Sequence, residues 1–183
     1  TCAAMPGETL EPALFGVEAG AGRPRRPGAF EIAREGTLAL ASVEAVPLEL
    51  QARVLQVLEA GTFRRAGGTL DVATGVRVIA TSTADLEARV RAGSFRGDLF
   101  YRLSALRVDV APLRARRQDV PALADHLARQ VAREFDWPEP DGVRTAGTTL
   151  DRHAWPGNVR ELRLLVTHAL LLRGRDAHGT LDL

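Results

Sequence analysis

The sequence contains no lysine, and all 24 of the basic side chains among its 183 residues are arginine. A site built on an amine, such as a Schiff-base lysine, a lysine general base or the lysine of a P-loop, is therefore excluded from these residues. An all-arginine set is typical of a GC-rich coding sequence and by itself indicates no nucleic-acid partner. The formal net charge of only +1 argues against a strongly basic nucleic-acid-binding domain.

Cysteine, histidine and long apolar runs are also scarce. Cys2 is the only cysteine, so an internal disulfide and a zinc-binding cysteine cluster are both excluded. No metal site is predicted, because metal-ligand spacing is missing from the four histidines, His126, His153, His168 and His178. No run approaches the ~18 apolar residues that a membrane-spanning helix needs. These absences favour a soluble cytoplasmic protein without membrane contact, and the first residue, which is not methionine, indicates a cut inside a longer chain.

Glycine, proline and hydrophobic periodicity divide the first part of the chain into loops, strands and helices. Residues 6–27 are rich in glycine and proline and predict a loop. A helix is predicted from Pro47, with Gly61 as its C-terminal cap, and a shorter one over 85–91. Short apolar runs predict three strands, at 37–40, 76–80 and 106–110.

Only helices are predicted after residue 114. Asp119 caps a helix whose apolar residues keep an i, i+3, i+4 spacing. After a link rich in proline and glycine, Asn158 starts a last helix, with Glu161 completing a capping box. Strands that alternate with helices, followed by helices alone, predict a parallel α/β layer over 1–114 and a small helical domain over 115–183.

Nine short motifs follow one another along nearly the whole chain. They are CAA at 2–4, LFG at 14–16, PGAFE at 27–31, GTL at 36–38, PLELQ at 47–51, VRVIA at 76–80, FRGDLFYRL at 95–103, PLR at 112–114 and WPGNVREL at 155–162. In this order they resemble the central AAA+ ATPase domain of the sigma-54-dependent transcriptional activators, the bacterial enhancer-binding proteins. The motifs at 95–103 and 155–162 are the most specific of the series.

The resemblance implies an α/β fold of the AAA+ P-loop NTPase type. Such a fold has a three-layer αβα arrangement around a parallel sheet, here over 1–114, and then a small α-helical lid, here over 115–183. In that family the first strand and the P-loop precede the Cys-Ala-Ala motif, so both are expected outside this chain. The resemblance also implies an oligomeric ring that binds ATP and Mg²⁺ and remodels the sigma-54 RNA polymerase, with DNA contacted only through other domains.

At one strand the resemblance predicts impaired hydrolysis. The family pattern Gly-Gly-Thr-Leu-Phe-Leu-Asp-Glu supplies an aspartate that holds magnesium and a glutamate that polarises water. The matching positions here are Ala41 and Ser42, and the nearest carboxylate is Glu44. Loss of both acids is expected to slow hydrolysis by orders of magnitude. Thr1 stands where the family has its switch asparagine, and Thr83 stands at the sensor asparagine.

Other family features are shortened or kept. The loop that contacts sigma-54 in the family has lost its phenylalanine and threonine, and its remnant is Gly20, Ala21 and Gly22. Arg96 and Arg102 match the arginine fingers that reach a neighbouring subunit's nucleotide, and Arg160 matches the sensor arginine of the lid. An alternative for the two fingers is a pair of surface or ion-paired arginines, with Asp98 as a partner. For Arg160 the alternative is an ordinary helix-surface arginine.

Three functions are consistent with these residues. The first is a degenerate AAA+ module of the sigma-54 activator type that has lost its own hydrolysis and serves as a regulatory or assembly subunit. The second is a subunit of a mixed ring that donates Arg96 and Arg102 to a neighbour, which supplies the carboxylates. The third is a nucleic-acid-binding module built on the arginine clusters at 23–26 and 114–117.

Overall fold

The chain divides into two units, Thr1–Arg107 and Val108–Leu183, whereas the predicted boundary lay after residue 114. The structure is a computed structural model, and the residues that it describes are 1–20, 24–144, 150, 153–174 and 179–183. In the described part of the chain, no helix combines the length and the apolar character needed to cross a membrane.

The first unit combines helices with two pairs of strands. Its elements in chain order are α1 (Gly7–Phe15), α2 (Ala29–Ile32), β1 (Thr37–Ala41), α3 (Leu48–Ala60), β2 (Thr62–Arg64), β3 (Asp71–Ala73), β4 (Arg77–Thr81), α4 (Leu86–Arg91) and α5 (Gly97–Leu103). Short 3₁₀ turns cover Cys2–Ala4 and Val43–Ala45. The alternation of strands and helices confirms the α/β class predicted for this part of the chain.

Strands β1 and β4 lie side by side and run parallel, with Ala41 opposite Thr81. They confirm the strands predicted at 37–40 and 76–80. Because the strands are parallel, their carboxyl ends lie at the same edge of the sheet, and the residues that follow them come together there. Strands β2 and β3 form a separate antiparallel hairpin.

The core of the first unit is apolar and aromatic. Phe15, Phe30 and Phe63 are almost fully buried, and their ring centroids lie 5.5–6.1 Å apart. Each side chain of this size stabilises the fold by about 1.5–3 kcal/mol through burial. Helix α3 joins this core through Leu50, Val54, Leu55 and Val57. It ends at Gly61, whose φ of 65° is the left-handed cap expected there.

The loop predicted over residues 6–27 is wrong in its first half, because Gly7–Phe15 forms helix α1. Its Leu10, Leu14 and Phe15 face the core and are 0–4% exposed. The free energy gained by burying these three side chains outweighs the cost of Pro12 inside the helix. The loop prediction gave too much weight to the glycine and proline content.

The strand predicted over 106–110 is also wrong, because these residues form no helix or strand. Leu106, Val108 and Val110 keep the alternation of a strand, yet they are 78–80% exposed. A strand needs a neighbour that completes its ladder of hydrogen bonds, and among the described residues no strand pairs with this segment.

The second unit is mainly helical, as predicted. Its elements are α6 (Val120–Glu134), β5 (Val143–Arg144), α7 (Asn158–Arg173) and β6 (Leu181–Asp182). The two helices pack around the buried Trp155. The capping box differs in detail: Glu161 accepts from the backbone N–H of Gly157 at 2.8 Å, while the side-chain oxygen of Asn158 accepts from Leu113 N at 2.8 Å.

Candidate functional site

The carboxyl ends of β1 and β4 bring together four of the positions singled out by the sequence. Thr1 donates its hydroxyl to the carbonyl oxygen of Ala41 at 3.2 Å. Ser42, the next residue, has a left-handed backbone with φ 59° and ψ 55°. Positive φ is uncommon outside glycine and concentrates at functional sites. Thr83 lies two residues beyond the end of β4, at the same edge of the sheet. The roles that the resemblance implies for these four positions stay predictions.

The side chains at this edge do not fit a magnesium ion. Ala41 offers a methyl group and Ser42 a single neutral hydroxyl, whereas Mg²⁺ in proteins is usually held through one or two carboxylates. Among the described residues, no three histidine, cysteine, aspartate or glutamate side chains are grouped to hold a metal ion. At positions 41 and 42, no side chain therefore takes over the metal-binding and base functions that the resemblance assigns to an aspartate and a glutamate.

Glu44, the nearest carboxylate, is committed to Thr83. Its Oε1 accepts from Thr83 Oγ1 at 3.0 Å and from Thr83 N at 3.3 Å. Burial raises the pKa of Glu44, but hydrogen bonds from its own backbone, Ser82 and Thr83 outweigh that effect and leave the pKa below its ordinary value. Its Oε2 is enclosed and has no hydrogen-bond partner in the described part of the chain. Glu44 is thus ionised and links the segment after β1 to the segment after β4. The sequence pattern did not predict this contact.

The two finger-type arginines lie on the outside of the first unit, around α5. Arg96 precedes the helix and forms a two-pronged pair with Asp98, at 3.0 Å from Nε and 2.7 Å from Nη2. Arg102 donates from Nη2 to the carbonyl oxygen of Leu58 at 2.9 Å. Both arginines are exposed. The hydrogen bond from Arg96 is the main reason that the pKa of Asp98 lies below its ordinary value.

The base of the shortened loop is intact. Val17 and Arg26 exchange two backbone hydrogen bonds, of 2.8 and 3.0 Å. Gly28 approaches Gly16 so closely that a Cβ on Gly28 would lie 2.2 Å from the backbone nitrogen of Gly16. This contact explains why both motifs on either side of the loop carry glycine. Of the loop remnant, Gly20 is described, whereas Ala21 and Gly22 lie outside the described residues.

A buried ion cluster reinforces the loop base. Arg65 is only 8% exposed and donates to Glu18 at 2.9 Å and to Glu31 at 3.0 and 3.1 Å. Arg25 pairs with the same Glu31. The guanidinium of Arg65 therefore joins the start of the loop to helix α2. No local sequence pattern indicates this cluster, because Glu31 and Glu18 lie 34 and 47 residues from Arg65 along the chain.

Acid is expected to weaken the first unit through this cluster. Hydrogen bonds from Arg65 hold the pKa of Glu18 and of Glu31 below the ordinary 4.5. The two carboxylates therefore stabilise the fold fully above their unfolded-state pKa, and their contribution is lost as pH falls through the lower folded-state pKa. Arg65→Met should weaken this dependence, with Arg25 still paired with Glu31, and lower the free energy of unfolding at neutral pH by about 2–3 kcal/mol.

Urea unfolding of the full-length protein at about pH 7 and about pH 3.5 measures both effects. Arg64→Met is the matched control, because Arg64 is the neighbouring residue and pairs at the surface with Asp71. An Arg65→Met protein as stable as the natural sequence at neutral pH would contradict the assignment.

In the second unit, Arg160 lies exposed in the first turn of α7, where the lid motif placed it. The arginine cluster at 114–117 lies on two 3₁₀ turns, and its Arg116 pairs with Asp119 at 3.7 Å. In the other cluster Arg25 is paired with Glu31, and Arg23 lies outside the described residues. In each of the two arginine clusters, at least one arginine is thus paired with a carboxylate of the same chain.

Comparison with known protein families gives two matches. Residues 1–109 match the sigma-54 interaction domain, and residues 114–182 match the AAA+ ATPase lid domain. The regulatory protein AtoC of Escherichia coli (strain K12) is 40% identical over 174 residues, which cover 93% of this chain and 38% of that protein. The nitrogen assimilation regulatory protein NtrX of Azorhizobium caulinodans is 42% identical over 174 residues, 95% of this chain and 38% of its own.

Solved structures agree with these relatives. The crystal structure of NtrX from Brucella abortus in complex with ADP has a TM-score of 0.87 and 36% sequence identity, covering 98% of this chain and 40% of that one. The complex of the same protein with ATP has a TM-score of 0.85. The chain thus spans about two fifths of the length of the proteins that it matches.

Proposed function

Because the chain belongs to the sigma-54-dependent activator family of AAA+ ATPases, we propose that it has lost hydrolysis of its own and serves as a regulatory or assembly subunit of a AAA+ ring. Its family makes it a sigma-54-activator AAA+ domain of a transcriptional regulator. Impaired hydrolysis and the regulatory or assembly role are our proposal for this chain.

The single observation that carries the proposal is the chemistry at the carboxyl ends of β1 and β4. Hydrolysis in this family needs one carboxylate for the metal and one that accepts a proton from water. Ala41 and Ser42 can do neither. Glu44 does not replace them, because its Oε1 is occupied by Thr83 and its Oε2 is enclosed.

Nucleotide binding is a separate part of the proposal. NtrX from Brucella abortus has been solved with ADP and with ATP on the same fold, which supports a nucleotide as the ligand of the ring. Contact with sigma-54 RNA polymerase is expected to be weakened, because the loop remnant carries no aromatic side chain to insert into a partner.

The ATPase rate of the full-length protein tests the proposal. We expect Mg²⁺-dependent hydrolysis about a hundredfold or more below that of an intact relative such as AtoC under the same conditions. ATP binding should be measured in parallel by calorimetry, so that a missing ligand is distinguished from missing chemistry. Substantial hydrolysis that Arg96→Ala or Arg102→Ala abolishes would overturn the proposal.

A second candidate function is donation of arginine fingers to a neighbour in a mixed ring. The observation that favours it is that Arg96 and Arg102 are present and exposed, and that their guanidinium groups contact Asp98 and the carbonyl oxygen of Leu58 at the surface of their own unit. An intact relative whose own two finger arginines are replaced by alanine supplies carboxylates but no fingers. Adding this protein should restore its ATPase activity, and no restoration at any mixing ratio would exclude the donor function.

A further inference from the structure

Gln51 is a polar side chain with no exposed surface, on the face of α3 that packs into the core. All of its amide atoms are used. Its Nε2 donates to the carbonyl oxygens of Val46 at 2.8 Å and Ser94 at 3.5 Å. Its Oε1 accepts from the backbone N–H of Arg96 at 2.8 Å. Two of its three contacts are therefore with the segment that leads into Arg96.

The partners of Gln51 belong to two places that matter for the site. Val46 closes the 3₁₀ turn Val43–Ala45, which carries Glu44 and follows the positions of the two lost acids. Arg96 is the residue before α5, and its side chain is a finger-type arginine. The buried amide of Gln51 thus connects the backbone of Val46, in the turn after β1, to the backbone of Arg96.

We propose that Gln51 is a positioning residue that fixes Arg96 for its role as an arginine finger, and that it couples the turn after β1 to that finger. The inference rests on the donor function proposed above for Arg96. Gln51 has no exposed surface, so it acts through the backbone of Arg96.

Two features support a role of this backbone contact in positioning the side chain. Phe95 is 2% exposed, so burial fixes the residue before Arg96. The guanidinium itself is held at the surface by Asp98, an exposed partner that solvent and salt screen. The direction in which the arginine leaves the protein is therefore set by its backbone anchors, of which the bond to Gln51 Oε1 is buried and short.

A continuous series of contacts runs through Gln51. Thr83 binds Glu44 across the sheet edge, Glu44 lies in the turn that ends at Val46, and Val46 binds Gln51. Under the proposal, a displacement of the turn would reach Arg96 through this single side chain. Coupling of this kind requires a test by substitution, because adjacency alone does not measure it.

The test compares three variants of the full-length protein in the mixed-ring assay described above. Gln51→Met keeps the volume but removes both polar functions, and Gln51→Glu keeps an oxygen that can accept from Arg96 N. Gln56→Met is the matched control, an exposed glutamine on the same helix. We expect Gln51→Met to lower kcat by about tenfold at unchanged KM for ATP. Gln51→Glu should lower it at least as much, because its buried carboxylate faces the carbonyl oxygens of Val46 and Ser94 without a donor, and Gln56→Met should change neither.

Hydrogen–deuterium exchange of the same proteins without the partner gives an independent readout. In Gln51→Met, exchange in the peptide covering 94–103 should rise about tenfold, with helix α6 unaffected. Unchanged exchange and unchanged kcat would overturn the proposal, as would a uniform rise over α3 and α5 with kcat and KM altered together. If the natural sequence fails to restore hydrolysis, the donor function is wrong, and exchange at 94–103 still decides whether Gln51 holds Arg96.

Discussion

An Ala41→Asp, Ser42→Glu double variant is expected to hydrolyse ATP about a hundredfold faster than the natural sequence. A positioned base contributes about 10²–10⁴-fold to a proton-transfer step, and the second carboxylate supplies the charge that a phosphate-bound cation needs. Both side chains would extend from the edge at which Thr1 and Thr83 already lie. The left-handed backbone at residue 42 adds little cost to this change, because its strain comes from the Cβ atom that serine already carries.

The amide variant Ala41→Asn, Ser42→Gln is the control, since it has nearly the same shape without charge or basicity. Full-length proteins should be compared for Mg²⁺-dependent phosphate release, with ATP affinity measured for each. A third variant that adds Glu44→Gln tests whether the tie to Thr83 restrains the restored acids. If the double variant binds ATP as tightly as the natural sequence and hydrolyses it no faster, the two positions are not what prevents hydrolysis.

Removal of Trp155 is expected to unfold the second unit selectively. Trp155 is 1% exposed, and its ring meets His153 edge-on at 4.8 Å. Truncation of a buried aromatic side chain to alanine costs about 3–5 kcal/mol, because the cavity does not fully collapse. Trp155→Ala should therefore lower the free energy of unfolding of this unit by that amount, as measured by urea unfolding combined with peptide-resolved hydrogen exchange.

Trp155→Phe separates packing from the polar part of the indole. The indole N–H is buried and has no acceptor among the described residues, so its loss should cost little, and the expected penalty is below about 1.5 kcal/mol. Equal effects of alanine and phenylalanine would show that the ring volume is not what stabilises the unit.

Local patterns predicted the elements whose stabilising contacts are close in sequence. The helix after Pro47 has its apolar spacing and its cap at Gly61 within one short segment, and the structure has both. Helix α1 was missed because the burial of Leu10 and Phe15 by distant residues outweighs the local effect of Pro12. The strand at 106–110 was predicted for the converse reason, since alternation describes a strand but does not provide its neighbour.

In the candidate site, too, features set by local sequence could be predicted, and contacts between distant residues could not. The replacement of two acids at Ala41 and Ser42 rests on the motif alone and stays a prediction. The tie between Glu44 and Thr83 joins residues 39 positions apart, and no spacing rule relates them. Gln51 left a weaker signal that a helical projection would have shown, since a glutamine three residues before the buried Val54 shares its apolar face.

The loop between Val17 and Arg26 is closed at its base, so its tip can vary independently of the rest of the fold. Its ends are joined by their own backbone pairing and by the Arg65 cluster, to which Glu18 and Arg25 belong, so the contacts that hold the base involve residues at the two ends of the loop. Doubling the length of such a loop costs only about 0.6 kcal/mol in closure entropy. The length and sequence of the loop tip can therefore change during evolution without changes elsewhere in the domain. A few substitutions in the tip are then enough to change its binding partner.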